Sequence, residues 1–142
     1  MKKIYMMVIV LAVLTAFLLV KATAAELGVG LNNMGGQIRW GILEIGTTLE
    51  PDANAYFGRL YFNQPKKLWY SGVEAALINS KYISGGFEVG AFTGLNIRVK
   101  KFSIFADIGA YYTKLDSCLG SYGEVTSFIN TGVNYYFGGG SK

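Results

Sequence analysis

The charged residues of this chain that could take part in chemistry lie within segments where polar and apolar residues alternate. Seven share this placement: Arg39, Glu44, Arg59, Glu74, Glu88, Arg98 and Asp107. Four carboxylates beside three guanidinium groups can neutralise one another in an enclosed space. Proton transfer is a poorer fit, because the usual general base is histidine and the chain contains none. These residues therefore predict ion pairing and not catalysis.

The other reactive side chains form no recognisable site. Cys118 is the only cysteine, so it cannot form a disulfide within the chain, and without histidine no Cys/His metal set can be built. Asp116, Ser117 and Ser121 share a loop with it but lack the base that a hydrolytic triad needs. We expect no catalytic, cofactor-binding or metal-binding residues, and we expect that the protein is not an enzyme.

The first 25 residues have the layout of a secretory signal peptide. Lys2 and Lys3 precede an unbroken apolar run over 4–20, and small residues follow at 22–25. A basic start, an apolar centre and an Ala-x-Ala site are typical of a cleaved leader. The alternative is an uncleaved inner-membrane anchor, since 17 apolar residues are close to the shortest run that spans a bilayer. The prediction is a signal peptide over 1–25 and a single domain over 26–142.

Removal of the leader changes the charge of the chain. Lys2, Lys3 and Lys21 leave with it, so ten basic residues remain against nine acidic ones. A nucleic-acid-binding surface needs a dense cluster of basic residues, and this balance does not supply one. We therefore expect no nucleic-acid partner.

The segment 87–113 predicts a long hairpin. In both halves apolar residues alternate with glycine, polar and charged residues, which is the period of a strand. If Lys100 and Lys101 form the loop, residues whose numbers sum to 201 lie opposite each other, and each such pair shares a face. Two of these pairs place an aromatic ring across from a glycine: Gly90 with Tyr111, and Gly109 with Phe92.

The rest of the domain predicts further strands and no helix. Alternating segments occupy five more ranges: 27–32, 37–49, 55–63, 68–79 and 125–137. In the second of these the apolar phase slips by one residue near Gly41 to Leu43, which a β-bulge explains. Seven strands result, whereas single-chain bacterial barrels have an even number. Either a further strand lies within 26–54, or another copy of the chain closes the sheet.

The face of the sheet that meets water decides the class of protein. In a soluble sandwich or lipocalin-like barrel the apolar face points inward. In a transmembrane barrel the faces are reversed, and glycines, aromatic rings and paired charges fill a narrow lumen. The charged face here carries many glycine and aromatic residues, which favours the second arrangement. The alternative is a secreted periplasmic lipocalin-like barrel that binds an apolar ligand against Leu95, Ile97, Ile104 and Ile108.

Strand length and aromatic placement agree with a membrane barrel. About 9–11 tilted residues span the hydrocarbon, and the predicted strands are that long or slightly longer, apart from the short first strand over 27–32. Aromatic residues gather at both strand ends, as at the two interfaces of a membrane. The end with short turns has Trp40, Tyr61, Phe62, Trp69, Tyr70, Phe102, Tyr135, Tyr136 and Phe137, and the other end has Tyr56, Phe57, Tyr82, Tyr111, Tyr112 and Tyr122.

With these patterns the sequence resembles the small outer-membrane β-barrel proteins of Gram-negative bacteria, the group of the OmpA-like and OmpX-like eight-stranded barrels. The resemblance rests on the leader, the alternating strands and the aromatic ending Gly132 to Phe137, and it covers most of 26–137. It implies an all-β, antiparallel, up-and-down transmembrane β-barrel of about eight strands in the cell outer membrane. Its implied partners are outer-membrane lipid and the barrel assembly machinery, and a homo-oligomer is an open alternative. The implied role is non-enzymatic, in envelope structure or surface interaction, with a side-chain-filled lumen.

Overall fold

The fold is a closed antiparallel β-barrel of eight strands, each paired with the next and the last paired with the first. The computed structural model describes residues 26–33, 35–48, 52–63, 67–81, 83–117 and 120–137. The predicted signal peptide over 1–25 lies outside these residues. The strands are β1 (Leu27–Asn32), β2 (Gly35–Trp40), β3 (Leu43–Thr48), β4 (Ala53–Tyr61), β5 (Trp69–Ser80), β6 (Ile83–Val99), β7 (Phe102–Ser117) and β8 (Gly120–Phe137).

The strand missing from the sequence prediction lies within 37–49. The predicted β-bulge is wrong: β2 and β3 are separate strands that pair antiparallel, with Trp40 opposite Leu43. Gly41 and Ile42 form the loop between them, and Gly41 has a φ of 60°. A two-residue hairpin loop commonly needs a positive φ at its first position, which glycine adopts without a steric cost.

With eight strands the sheet closes within one chain. Leu27 lies opposite Phe137, so β1 and β8 form the last seam of the barrel. The alternative in which another copy closes the sheet is therefore wrong. Leu27 and Phe137, where the chain enters and leaves the barrel, lie at the same rim as the β2–β3 and β6–β7 turns. This rim is called the turn rim, and the other one is called the open rim.

The register predicted for the β6–β7 hairpin is confirmed. The pairs run from Gly85 opposite Asp116 to Val99 opposite Phe102, and each pair sums to 201. Lys100 and Lys101 form the loop, although Lys100 must adopt a φ of 55°. Lysine in this conformation carries a steric cost that glycine would avoid. The long β6–β7 ladder therefore fixes the register, and it imposes this backbone conformation on Lys100.

The wall of the barrel is uneven in height. Strands β1, β2 and β3 have six residues each, whereas β6, β7 and β8 have 17, 16 and 18. The short β1 agrees with the strand predicted over 27–32, whereas the spanning length predicted over 37–49 is wrong for β2 and β3. One reason is that the predicted strand over 37–49 reverses direction at Gly41 and supplies two short strands in place of one long one.

Inward-facing glycines receive aromatic rings from a neighbouring strand. A Cβ on Gly109 would lie 2.5 Å from Phe128 Cε1, and a Cβ on Gly90 would lie 2.5 Å from Tyr111 Cδ1. The predicted Gly90–Tyr111 pair is thus confirmed. Phe92 does lie opposite Gly109 in register, but its ring covers Gly72. The lumen is narrow enough that these rings need the space that a Cβ would occupy.

Replacement of Gly109 by alanine should destabilise the barrel by about 1–3 kcal/mol, because the new methyl group overlaps Phe128 and the Ala91 carbonyl. Gly58 is the matched control, since a Cβ there meets no atom within 4 Å. Gly58→Ala should be neutral or stabilise by about 0.5–1 kcal/mol. Denaturant unfolding followed by tryptophan fluorescence measures both. Equal stabilities of the two variants would contradict the packing of the lumen.

Candidate functional site

The lumen of the barrel contains a cluster of charged side chains. Five are at most 6% exposed: Arg39, Glu44, Arg59, Glu74 and Asp107. The first four lie on one rung across β2 to β5, where the register places each directly opposite the next. Positive and negative charges alternate along this rung, which is the favourable order for cross-strand neighbours. The predicted ion pairing on the inner face is confirmed.

Arg59 is the centre of this cluster. Its Nε atom donates to Glu74, the neighbour on β5. Its Nη1 atom lies 3.1 Å from Asp107 Oδ2, which reaches it from β7 across the lumen, and 3.7 Å from Glu44 Oε1. The guanidinium carbon lies 4.7 Å from the centre of the Phe92 ring. One cation thus holds carboxylates from three different strands, so it ties opposite walls of the barrel together.

Arg39 forms the second half of the cluster. Its Nη2 atom lies 2.5 Å from Glu44 Oε2 and also donates to the Tyr61 hydroxyl. That hydroxyl donates to the same Glu44 oxygen over 3.0 Å. The Nη1 atom donates to the Tyr136 hydroxyl over 3.3 Å. Charged groups in a poorly solvated space are costly unless they are paired and hydrogen-bonded, and these contacts meet that condition for Arg39.

Aromatic rings fill the lumen beside the charges. Tyr61, Tyr70, Phe92 and Phe105 pack as one buried cluster. The Tyr61 ring meets the Tyr70 and Phe92 rings edge to face, at centroid distances of 5.4 and 5.3 Å. The Tyr70 hydroxyl donates to Asp107 Oδ2 over 3.0 Å. An eight-stranded barrel has an interior that side chains can just fill, and these four rings fill part of it.

The two remaining charges predicted for the inner face lie near the ends of the lumen and are half-buried. Arg98 Nη1 lies 2.5 Å from Glu26 Oε2 near the turn rim, and its guanidinium covers the Tyr136 ring at 4.3 Å. Glu88 accepts a hydrogen bond of 2.8 Å from the Thr113 hydroxyl toward the open rim. The seven charges predicted for the inner face all lie on it, and the fold brings five of them together.

The outer surface of the barrel is apolar. Large exposed hydrophobic side chains occur on all eight strands. The four residues proposed to line an apolar ligand site point outward: Leu95, Ile97, Ile104 and Ile108 are 44–65% exposed. They do not enclose a ligand inside the barrel. The face assignment predicted from the sequence, with charges inside and apolar residues outside, is confirmed.

Fewer exposed aromatic residues lie at the two ends of the barrel than predicted. Five of the predicted members are buried in the lumen: Phe57, Tyr61, Tyr70, Tyr111 and Tyr136. Exposed aromatic residues still occur at both ends, with Phe62, Trp69, Phe102 and Phe137 toward the turn rim and Tyr56, Tyr112 and Tyr122 toward the open rim. Tyr82 lies outside the described residues. The strand parity that separates inside from outside also separates these two groups.

The upper parts of β7 and β8 project beyond the rim of β1. Only Gly132–Phe137 of β8 pairs with β1, whereas β7 pairs with β8 as far as Gly120. Residues 120–127 of β8 are all exposed. On this arm the hydroxyls of Tyr122 and Thr126 donate to Glu124 and hold the pKa of its carboxyl below the usual value. Part of one strand edge is therefore open along the arm.

Asp116 and Ser121, which were expected in a loop, lie on β7 and β8 and contact each other across the two strands. The Ser121 hydroxyl donates to Asp116 Oδ1 over 2.6 Å at the open rim. Cys118 and the side chain of Ser117 lie outside the described part of the chain. Within the described ranges there is no group of three or more Cys, Asp or Glu residues that could hold a metal ion.

Comparison with known proteins identifies no family for this chain. No protein-family model, no curated protein and no solved structure matches this chain. Across the described strands and loops, no helix is long and apolar enough to cross a membrane.

Proposed function

We propose that this protein is a small, non-enzymatic β-barrel of the bacterial outer membrane that serves in envelope structure or surface interaction. The observation that carries the proposal is the reversal of the two faces, with Arg39, Arg59 and their carboxylates enclosed and apolar side chains outside. Exposed apolar patches larger than a few hundred square ångströms are rare on soluble monomers. A belt of lipid-facing residues around a polar lumen is the usual arrangement of a transmembrane barrel.

Closure of the sheet supports the same proposal. In hydrocarbon every backbone polar group must be satisfied within the protein, which only helices and closed barrels achieve. The β1–β8 seam closes the barrel over its lower part, next to the turn rim. The open edge of β8 lies on the arm beyond this seam. The filled lumen argues for a structural or interaction role and against a wide pore.

Cell fractionation tests the proposal. The protein should stay with the membrane fraction after an alkaline carbonate wash, because its apolar surface is held in hydrocarbon. It should also migrate differently on a gel before and after boiling, since a closed barrel resists detergent until it is heated. Recovery from the soluble periplasmic fraction would overturn the proposal and favour a secreted barrel.

A further inference from the structure

The charged residues are distributed unevenly along the axis of the barrel. The described residues near the turn rim carry four cations and one carboxylate: Lys67, Arg98, Lys100, Lys101 and Glu26. Those near the open rim carry two cations and four carboxylates: Lys81, Lys114, Asp52, Glu88, Asp116 and Glu124. The turn rim is therefore positive and the open rim negative.

Three of the cations at the turn rim are available to a partner. Arg98 is already paired with Glu26 at 2.5 Å. Lys67, Lys100 and Lys101 are exposed, and no carboxylate of the described chain lies within ion-pair distance of them. Lys81 at the open rim differs, since its Nζ atom lies 3.3 Å from Asp52 Oδ1.

The free lysines stand next to exposed aromatic and apolar residues. Trp69 and Phe102 are 57% and 60% exposed and follow these lysines closely in the chain. Aromatic rings of this kind settle at the boundary between hydrocarbon and headgroups. Lysine stems lie along apolar surface while the ammonium group reaches the polar layer. The three ammonium groups would thus be held at the depth of the phosphates.

We propose that the turn rim binds the phosphate groups of anionic phospholipids through Lys67, Lys100 and Lys101. This inference rests on the proposed membrane location and adds the lipid class and the end of the barrel that meets it. Each lysine close to an anionic membrane raises the membrane-binding constant by about fivefold, so three lysines together raise it much further. The negative open rim is repelled by the same surface, which favours approach by the turn rim.

Vesicle binding and insertion test this inference. The purified protein is added at low salt to vesicles of phosphatidylcholine alone or of phosphatidylcholine with phosphatidylglycerol. Phosphatidylglycerol should raise the bound fraction and the insertion rate by at least about tenfold. High salt should remove the gain, because it screens exposed charges over about 3 Å at 1 M. Bound protein is measured by co-sedimentation, and inserted protein by heat-modifiable gel migration.

The triple variant Lys67→Gln, Lys100→Gln, Lys101→Gln should lose this gain and still insert into neutral vesicles. The matched control is Lys81→Gln with Lys114→Gln at the open rim, which should keep it. The inference would be overturned if phosphatidylglycerol helped the triple variant as much as the wild type. It would also be overturned if the control lost this gain as fully as the triple variant. Insertion at the same rate with and without phosphatidylglycerol would also overturn the inference, and it would leave the proposed function intact. Failure to insert into any vesicle would overturn the proposed function itself.

Discussion

Replacement of Ile108 by arginine should destabilise the barrel in a bilayer by about 2–4 kcal/mol, because the charge would lie near the middle of the hydrocarbon. Ile108 is 58% exposed and lies midway along the apolar part of β7. In water, an arginine at so exposed a position would cost almost nothing. The substitution therefore separates a lipid-facing surface from a solvent-facing one. Reversible urea unfolding in vesicles gives the free energy directly.

Val99→Arg is the control for this experiment. Val99 is 65% exposed, on the outer face of β6, and directly precedes the Lys100-Lys101 turn. At the interface an arginine costs only about 0–1 kcal/mol. The difference between the two variants reports depth in the membrane, because both place an arginine on the outer face of a strand. A loss of stability that is the same at both positions would count against a membrane-spanning barrel.

Replacement of Arg59 by methionine should cost about 3–5 kcal/mol, because it leaves buried carboxylates without their cation. Glu74 and Asp107 both contact this guanidinium, and both are nearly fully buried. Methionine keeps most of the volume, so the loss would be electrostatic. Unfolding in vesicles, or the temperature at which gel migration changes, measures the effect.

Two further variants test the cause. Arg98→Met removes the same group from a half-buried pair with Glu26 and should cost less than about 1 kcal/mol. Addition of Glu74→Gln to Arg59→Met removes one of the stranded charges and should restore part of the lost stability. If Arg59→Met were as stable as the wild type, the charge cluster would not hold the walls together.

The sequence was sufficient for the orientation of the strands and for the β6–β7 register. Alternation with a period of two separates the faces, and the position of Arg59 or Asp107 in that alternation says which face carries charge. The same parity would have removed Tyr61 and Tyr70 from the predicted aromatic belt, since both share the inner face. That part of the prediction failed although the sequence contained the necessary signal.

The β2–β3 hairpin shows a limit of pattern analysis. A bulge and a two-residue hairpin loop both shift the apolar phase by one position, because Trp40 and Leu43 share a face in either case. Reversal of the chain leaves no separate trace in the alternation. The contact between Arg59 and Asp107 could not be predicted from the sequence either. It joins β4 to β7 across the lumen and depends on how the closed barrel is staggered.

In the proposed membrane location, the low wall formed by β1, β2 and β3 would affect the surrounding lipid. Six residues span about 20 Å along a strand, which is about 15 Å along the membrane normal at the usual tilt. The hydrocarbon core of a bilayer is about 30 Å thick. In such a bilayer, acyl chains beside this wall would have to shorten by disordering, whereas those beside β6 to β8 could remain extended. The lipid annulus around the barrel would therefore be thinner beside β1 to β3 than beside β6 to β8.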